Sequence, residues 1–345
     1  MRLRLFGSTT ISTRSMRLVG PALIGAALVA MPMLLTPAHA AVRTTASTVA
    51  KAPCDKPMTR TAPWHGDDEV NLDAAERAQT EAQRTGAGNL ASSARAAASV
   101  AALPAHVLVP VYVHVIQGTH KNEQTVSIQK VRRVMTILRG GFAGAQSMNA
   151  AHTRFSFTIK KITFTRNDKW YHAALYNAVD RRAKTVLHRG FSRALNLYFS
   201  GATTQGLPLL GYSRFPWQYK LNPKLDGVTV NVNSLPGGKA TGYNLGDTVI
   251  HETGHWLGLF HTFESKTGEG CDPINDGVAD TPAEVDANFH CVDESNLCDP
   301  TQVMPVGPYF DPAYNFMDYT YDTCMRMFTQ GQSDRMDTEY AMYRY

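Results

Sequence analysis

Residues 248–261 have the sequence TVIHETGHWLGLFH, and the fold is decided there. His251 and His255 are four residues apart, so on a helix their imidazoles lie on one face, one turn apart. Gly258 permits a left-handed turn that ends the helix, and the chain can then bring His261 back toward the other two. Three imidazoles leave one position of a tetrahedral zinc ion open, which is typical of a catalytic zinc site.

Glu252 follows the first of these histidines and points beside the ion rather than at it. A carboxylate in that place can hold a water molecule and take its proton. A lone pair of histidines four residues apart is common on amphipathic helices. The addition of Glu252, Gly258 and His261 at fixed spacing makes the prediction of a metal site far more specific.

The N-terminal part of the chain predicts a processed precursor. Residues 1–40 contain four Arg and no acid, with an apolar run that is followed by the triplet AHA at 38–40. This pattern predicts a secretory signal peptide that is cleaved after Ala40, and Gly and Pro within the apolar run argue against a membrane anchor. Residues 41–105 are rich in Ala, Thr and Ser, which predicts a propeptide-like, weakly structured segment ahead of the main domain, 106–345.

The main domain begins with alternating valines, from Val107 to Val115, which predict a strand with one buried face. Apolar spacing predicts further strands at 155–159, 162–164, 195–199 and 228–232, and helices at 126–142, 177–187 and 245–257. After the last of these helices the chain is predicted to be mostly irregular. Strands and helices followed by one helix and a loop-rich part indicate an α+β fold.

Charge is distributed unevenly along the chain. The 34 Lys and Arg exceed the 29 Asp and Glu by five, but four Arg belong to the predicted leader. Residues 106–239 carry 19 bases and 4 acids, whereas residues 240–345 carry 4 bases and 18 acids. The net charge therefore does not indicate a nucleic-acid partner, and the acidic part is where cations or basic substrates are expected.

The pattern from His251 to His261 resembles the metzincin zinc-binding motif, and the sequence NFMDY at 315–319 resembles the Met-turn of that clan. Three flanking stretches are similar to the pappalysin-like group of secreted bacterial-type members: HWLGLFHTF at 255–263, VADTP at 278–282 and MFTQGQ at 327–332. The resemblance extends over about residues 106–336. It implies a metzincin-like catalytic domain with a twisted mixed sheet and helices above a cleft, and a loop-rich, disulfide-linked lower subdomain.

The resemblance also implies a function. The chain is expected to be a secreted, extracellular zinc endopeptidase, monomeric, with protein or peptide substrates and no membrane span once the leader is removed. One zinc ion would be held by His251, His255 and His261, and Glu252 would act as general base and then general acid for a zinc-activated water. An edge strand near 209–214 is expected to pair with extended substrate; the alternative is an ordinary surface strand.

Two residues of the Met-turn are assigned by the same resemblance. Met317 is expected to form an apolar floor beneath the zinc ligands. Tyr319 is expected to donate a hydrogen bond to the oxyanion that develops during hydrolysis; the alternative is that it only packs beneath the site. Asp318 and Asp322 are expected to favour basic substrate side chains near the scissile bond.

Five cysteines are present, and four of them lie in the loop-rich part, where an oxidising environment permits cross-links. Spacing alone cannot select one of the three possible pairings. The resemblance implies Cys271 with Cys298 and Cys291 with Cys324. Cys54 remains, and it is either a cysteine switch that blocks zinc in a zymogen or an unpaired cysteine without a catalytic role; it precedes Asp rather than the Gly that is usual in such switches.

Calcium is a second expected cofactor. The resemblance places it near Asp276, Asp280 and Thr281, among flexible acidic loops that can offer several oxygens. A solvated acidic surface without an ion is the alternative. Two other functions also remain open at this stage: a zinc hydrolase that acts on a non-peptide amide, and a catalytically silent secreted binding protein.

Overall fold

The computed structural model describes residues 90–204, 207–264, 276–289, 291, 298 and 313–345. The predicted leader and most of the propeptide-like segment lie outside the described residues, as do Cys54 and Cys271. The helices and strands that bear on the site are α1 Leu90–Ala101, β1 Val107–Gln117, α2 Ile128–Phe142, β2 Phe155–Arg166, α3 Asp168–Tyr171, α4 Ala178–Leu187, β3 Leu195–Ser200, β4 Thr203–Thr204, β5 Leu207–Pro208, β6 Gly211–Ser213, β7 Val228–Asn231, α5 Thr248–Trp256 and α6 Gln330–Tyr343. Short 3-10 helices cover Pro216–Lys220 and Pro223–Leu225.

Five strands form one mixed sheet in the order β2-β1-β3-β7-β6. The first four are parallel, and β6 is antiparallel to β7 at one edge. The valines of β1 are buried, as their alternation predicts. This sheet and its helices confirm the predicted α+β fold class.

One prediction about the sheet is wrong. The segments 155–159 and 162–164, predicted as two strands, form the single strand β2. The pairing with β1 moves from Val111–Ile159 to Tyr112–Lys161, so the strand accommodates one extra residue as a bulge and continues. The two polar lysines that suggested a break are part of this bulged region.

Helix α2 packs against both β2 and α5. Ser127 caps its N-terminus by accepting a hydrogen bond from the Lys130 N–H at 3.1 Å. A Cβ atom added at Gly141 would lie 2.5 Å from Ile250 Cδ1, so only glycine allows α2 to approach α5 this closely. The helix that carries the histidines is therefore held directly against the main core.

The C-terminal helix α6 was not predicted, since residues after 258 were expected to be irregular. Thr329 caps it by accepting from the Gln332 N–H, and the Gln332 side chain accepts from the Thr329 N–H in return. This capping box is visible in the sequence as T-x-x-Q, but the apolar residues of the helix are too sparse to form an obvious stripe. Tertiary contacts with α1 and with the rest of the core compensate for that weak pattern.

A buried ion pair connects the end of α6 to the end of α5. The Arg344 guanidinium donates to both oxygens of Asp226, at 3.1 Å each, and both side chains are fully buried. Arg344 Nε also donates to the Trp256 carbonyl at 2.9 Å, and Trp256 Nε1 donates to Asp226 at 3.1 Å. The last turn of the helix that carries the histidines is thus fixed by the C-terminus of the chain.

The part of the chain after Gly258, called the lower part below, contains a disulfide between Cys291 and Cys324, with a Cα–Cα distance of 5.6 Å. Cys298 is also disulfide-bonded, and its expected partner Cys271 lies outside the described residues. None of the helices among the described residues is long and apolar enough to span a bilayer.

Candidate active site

The side chain of Asp322 holds the start of α5. Its carboxylate accepts hydrogen bonds from the backbone N–H groups of Leu245, Gly246 and Asp247, at 2.7, 2.9 and 3.4 Å. The predicted start of the helix at residue 245 is therefore three residues too early, because these N–H groups bind Asp322 before the helix begins at Thr248. Burial raises the pKa of Asp322 to about 6 and that of Asp247 to about 8, where the nearby Asp322 adds repulsion.

Three imidazole nitrogens converge at the centre of the site. His255 Nε2 lies 3.1 Å from His251 Nε2 and 3.0 Å from His261 Nε2. Nitrogen atoms that bind one tetrahedral zinc ion at the usual distance of ~2.0–2.1 Å are ~3.3 Å apart. The three side chains are therefore close to the spacing that zinc requires.

Hydrogen bonds at the opposite ring nitrogens fix the tautomer of two of these histidines. His251 Nδ1 donates to the Phe316 carbonyl at 2.6 Å, and His255 Nδ1 donates to the Leu259 carbonyl at 2.7 Å. A carbonyl can only accept, so each Nδ1 carries the proton and each Nε2 presents a lone pair. Both rings are buried, which lowers the pKa of His251 to about 4 and that of His255 well below its ordinary value. Neutral imidazoles of this tautomer are the form that a metal ion binds.

Gly258 ends α5 as its position in the sequence predicts. Its φ is +101°, in the left-handed region that favours glycine. The Gly258 N–H donates to the His255 carbonyl and the Leu259 N–H donates to the Gly254 carbonyl, which together form a Schellman motif. This turn directs the chain back so that His261 reaches the other two imidazoles.

Glu252 is buried, and its side chain lies against the edge strand β6. A Cβ atom added at Gly211 would lie 2.7 Å from Glu252 Cγ and 2.8 Å from Glu252 Oε1. Glycine at this position thus makes room for the carboxylate, a role that the sequence reasoning missed. The first residue of β6 and the carboxylate therefore lie side by side in the site.

The turn at 315–318 lies directly beneath the histidines. Asn315 Oδ1 accepts the Met317 N–H at 2.9 Å, which holds the turn, and the fully buried Met317 packs against α5. A Cβ atom at Gly254 would lie 2.5 Å from Met317 Sδ, so the glycine between the two helical histidines admits the methionine. The same turn supplies the Phe316 carbonyl that orients His251.

Tyr319 lies at the mouth of the site. Its ring centroid is 4.8 Å from that of His261 and 5.7 Å from that of His251, and Phe263 lies 4.9 Å away on the same side. The structure therefore brings the predicted tyrosine to the histidines.

Two acidic residues of the lower part, Asp318 and Asp322, are buried. The expectation that Asp318 and Asp322 favour basic substrate side chains is wrong. Asp318 is fully buried and accepts from the backbone and side-chain amides of Asn288, at 3.0 and 3.1 Å, while Asp322 holds the start of α5. The structure shows that both carboxylates stabilise the lower part from within.

Of the three residues expected to bind calcium, Asp280 is used elsewhere in the fold, while Asp276 and Thr281 are buried. Asp280 accepts from Thr329 Oγ1 at 2.7 Å and from the Gly331 N–H at 2.8 Å, so both of its oxygens stabilise the N-terminus of α6. Asp276 and Thr281 are buried, and burial raises the pKa of Asp276 to about 8. Asp276 Oδ1 accepts from the Val278 N–H at 2.9 Å.

Comparison with known proteins bears on the family. A family model described as Peptidase_M43, pregnancy-associated plasma protein-A, matches residues 194–341. An extracellular metalloprotease of Pyricularia oryzae is 32% identical over 255 residues, which cover 73% of this chain and 82% of that protein. The chain belongs to the M43, or pappalysin, family of metallopeptidases. A second family member, the extracellular metalloprotease of Sordaria macrospora, is 34% identical over 281 residues, which cover 78% of this chain and 83% of that protein.

Among solved structures, this M43 peptidase is similar to mature mirolysin of Tannerella forsythia in complex with a cleaved peptide. The identity is 26% and the TM-score 0.55, and the match covers 70% of this chain and 97% of that chain. Promirolysin shares the fold, with a TM-score of 0.57. The resemblance to pappalysin-like metzincins is confirmed, and with it the assignment of this chain as a zinc metallopeptidase.

Proposed function

We propose that this M43 peptidase is an extracellular zinc endopeptidase in which His251, His255 and His261 hold the catalytic ion and Glu252 transfers protons. The observation that carries the proposal is the convergence of three Nε2 atoms, with that of His255 lying 3.1 and 3.0 Å from those of His251 and His261. The neighbouring residue in the helix is the buried carboxylate Glu252. The relatives named extracellular metalloproteases support a location outside the cell.

A zinc ion in this site supplies a Lewis acid that polarises the substrate carbonyl and makes a neighbouring water more acidic. Glu252 takes the proton from the attacking water and passes it to the leaving amine. The absence of a side chain at Gly211 leaves room for this carboxylate. Helix α5 therefore carries Glu252 together with two of the proposed zinc ligands, and β6 leaves room for the carboxylate at Gly211.

The edge strand β6 is proposed to bind the substrate. It is the last strand of the sheet and pairs with β7 on one side. An extended peptide that adds to the other side would run past Glu252, because Gly211 begins the strand and touches that side chain. The mirolysin complex with a cleaved peptide supports a peptide rather than another amide as substrate.

Tyr319 is proposed to stabilise the transition state. Its ring lies beside His261 and His251, so a phenol in this position can donate to the oxygen on which negative charge develops. A tyrosine that only packs would be replaced by phenylalanine without loss of turnover.

Two further proposals concern the precursor: residues 41–105 act as a removable propeptide, and Cys54 blocks the zinc in the zymogen. A third proposal concerns the mature domain, where Asp276 and Thr281 contribute to a calcium site. Helix α1, which lies within residues 41–105, packs on α6, and this contact supports a propeptide that binds the catalytic domain. A proenzyme with Cys54→Ser that is active before any cleavage supports the switch, and one that stays fully latent contradicts it.

The proposed function is tested by Glu252→Gln in the activated enzyme. The variant should keep its zinc, as measured by mass spectrometry of the metal, and lose cleavage of denatured casein by a factor of ~100 or more, because proton transfer is lost while the ligands remain. Small acyl amides serve as the control substrate class. The proposal is contradicted if Glu252→Gln cleaves casein at the wild-type rate. It is also contradicted if the wild-type enzyme hydrolyses small amides but not casein.

A further inference from the structure

A second group of histidines and carboxylates lies outside the active site, where the turn after β1 meets α3. His120 and Glu123 belong to the turn, while Asp168 begins α3 and His172 follows its last residue. Each of the four side chains offers one ligand atom, and these four atoms all lie within 4.8 Å of one another. We refer to these four residues as the β1–α3 cluster.

The spacing within the β1–α3 cluster is close to that of a metal site. His120 Nε2 lies 3.3 Å from Asp168 Oδ2, and His172 Nε2 lies 2.7 Å from Glu123 Oε1 and 3.9 Å from Asp168 Oδ1. Ligand atoms around tetrahedral zinc are ~3.3 Å apart. The two imidazoles are 68% and 50% exposed, so they are free of close packing that would hold them away from that geometry.

Both carboxylates are already oriented by backbone groups of the turn. Asp168 Oδ1 accepts from the Thr119 N–H at 3.2 Å and from the Thr119 hydroxyl at 3.1 Å, which leaves Oδ2 facing His120. Glu123 Oε2 accepts from the His120 N–H at 2.9 Å, which leaves Oε1 facing His172. Hydrogen bonds that fix one oxygen while the other is presented are typical of the outer shell of a metal site.

The position of Glu123 depends on a glycine. A Cβ atom at Gly118 would overlap the Glu123 carboxylate, so this residue must lack a side chain for the turn to close over β1. Glu123 is mostly buried, with 12% of its side chain exposed. A carboxylate withdrawn from water in this way is stabilised by a cation at short range.

Among the described residues, the carboxylates of the β1–α3 cluster lack the Lys or Arg partners that the other acids of this region have. Residues 106–239 contain 19 Lys and Arg but only four acids, and two of those four are in the β1–α3 cluster. The other two, Asp180 and Asp226, pair with Lys184 and Arg344. Within the described part of the chain, by contrast, neither carboxylate of the cluster pairs with Lys or Arg.

We propose that His120, Glu123, Asp168 and His172 form a second zinc site, separate from the catalytic one. Two imidazoles select zinc or a similar transition metal over calcium, which prefers oxygen ligands alone. Four protein ligands close the coordination shell, so the ion has a structural role and joins the turn after β1 to α3. The proposal does not depend on the proposed catalytic roles.

The test is a zinc titration of the full-length chain after the metal has been removed with a chelator. Competition with a chromophoric chelator at neutral pH counts the bound ions. We expect two equivalents for the wild type, one for the double variant His120→Ala/His172→Ala, and one for His255→Ala. The exposed His152→Ala is the matched control and should keep two.

Several results would overturn the site. These are two equivalents in the double variant, no zinc bound by His255→Ala, or displacement of the second zinc by equimolar calcium. The single variant His120→Ala guards against misfolding, because its side chain is 68% exposed. It should fold as judged by circular dichroism and bind the second zinc at least ~10-fold more weakly, since loss of a ligand costs no less than loss of an outer-shell partner; unchanged affinity would contradict the assignment.

Discussion

Asp226→Asn should destabilise the peptidase more than any change to an exposed acid. The Asp226 carboxylate is fully buried and binds both Arg344 and Trp256, so the variant leaves the buried guanidinium without its counter-charge. The loss of one partner from a buried ion pair costs about 3–5 kcal/mol. For a domain of this size, each kcal/mol lowers the Tm by about 2–4 °C, so the expected decrease is about 6–20 °C.

The assay is thermal unfolding followed by circular dichroism, with the zinc concentration held constant. Asp334→Asn, at an exposed acid on α6, is the matched control and should change the free energy of unfolding by less than about 0.5 kcal/mol. Adding Arg344→Gln to Asp226→Asn should restore part of the loss, because no buried charge is then left unpaired. A Tm within 2 °C of the Asp334→Asn control would refute the role of the ion pair.

Three further changes test the site itself. Gly211→Ala places a methyl group against Glu252, so kcat should decrease about 10- to 100-fold with zinc retained, whereas Gly140→Ala, which has open space around it, should be neutral in an activity assay. Tyr319→Phe should lower kcat at least tenfold with little change in KM if the phenol donates in the transition state, and equal turnover would leave only a packing role. Asp247 has its pKa raised to about 8 by burial, so its folded form binds a proton more tightly than its unfolded form, and its ionisation lowers stability as pH rises from about 4 through about 8. Asp247→Asn should therefore increase the free energy of unfolding at pH 9 by at least ~1 kcal/mol, with a higher Tm than the wild type, and should leave both nearly unchanged at pH 5. An equal effect at the two pH values would contradict this.

The features that the sequence predicted well depend on strict local patterns. Alternating valines define β1, and the histidine spacing with Gly258 places three imidazoles on one helix and its following turn. In each case one physical requirement acts on a few residues that are close in the chain, so the pattern is visible without the fold.

The features that were missed depend on contacts between distant segments. The carbonyl of Phe316 orients His251 from 65 residues away, and any residue type can provide a carbonyl, so no sequence signal exists for it. Helix α6 has a weak apolar pattern and is stabilised by tertiary packing. Asp318 and Asp322 were expected to favour basic substrate side chains because they lie near the Met-turn, yet both are buried and hydrogen-bonded to backbone groups.

The position of the zinc ion in a crystal would show whether His251, His255 and His261 hold it. Crystals of the zinc-loaded Glu252→Gln variant, measured on both sides of the zinc absorption edge, would locate the ion by its anomalous scattering. We expect a strong peak at ~2.0–2.1 Å from the Nε2 atoms of His251, His255 and His261, with the fourth position not filled by a protein side chain. Absence of a peak there, or a fourth protein ligand that closes the site, would contradict it.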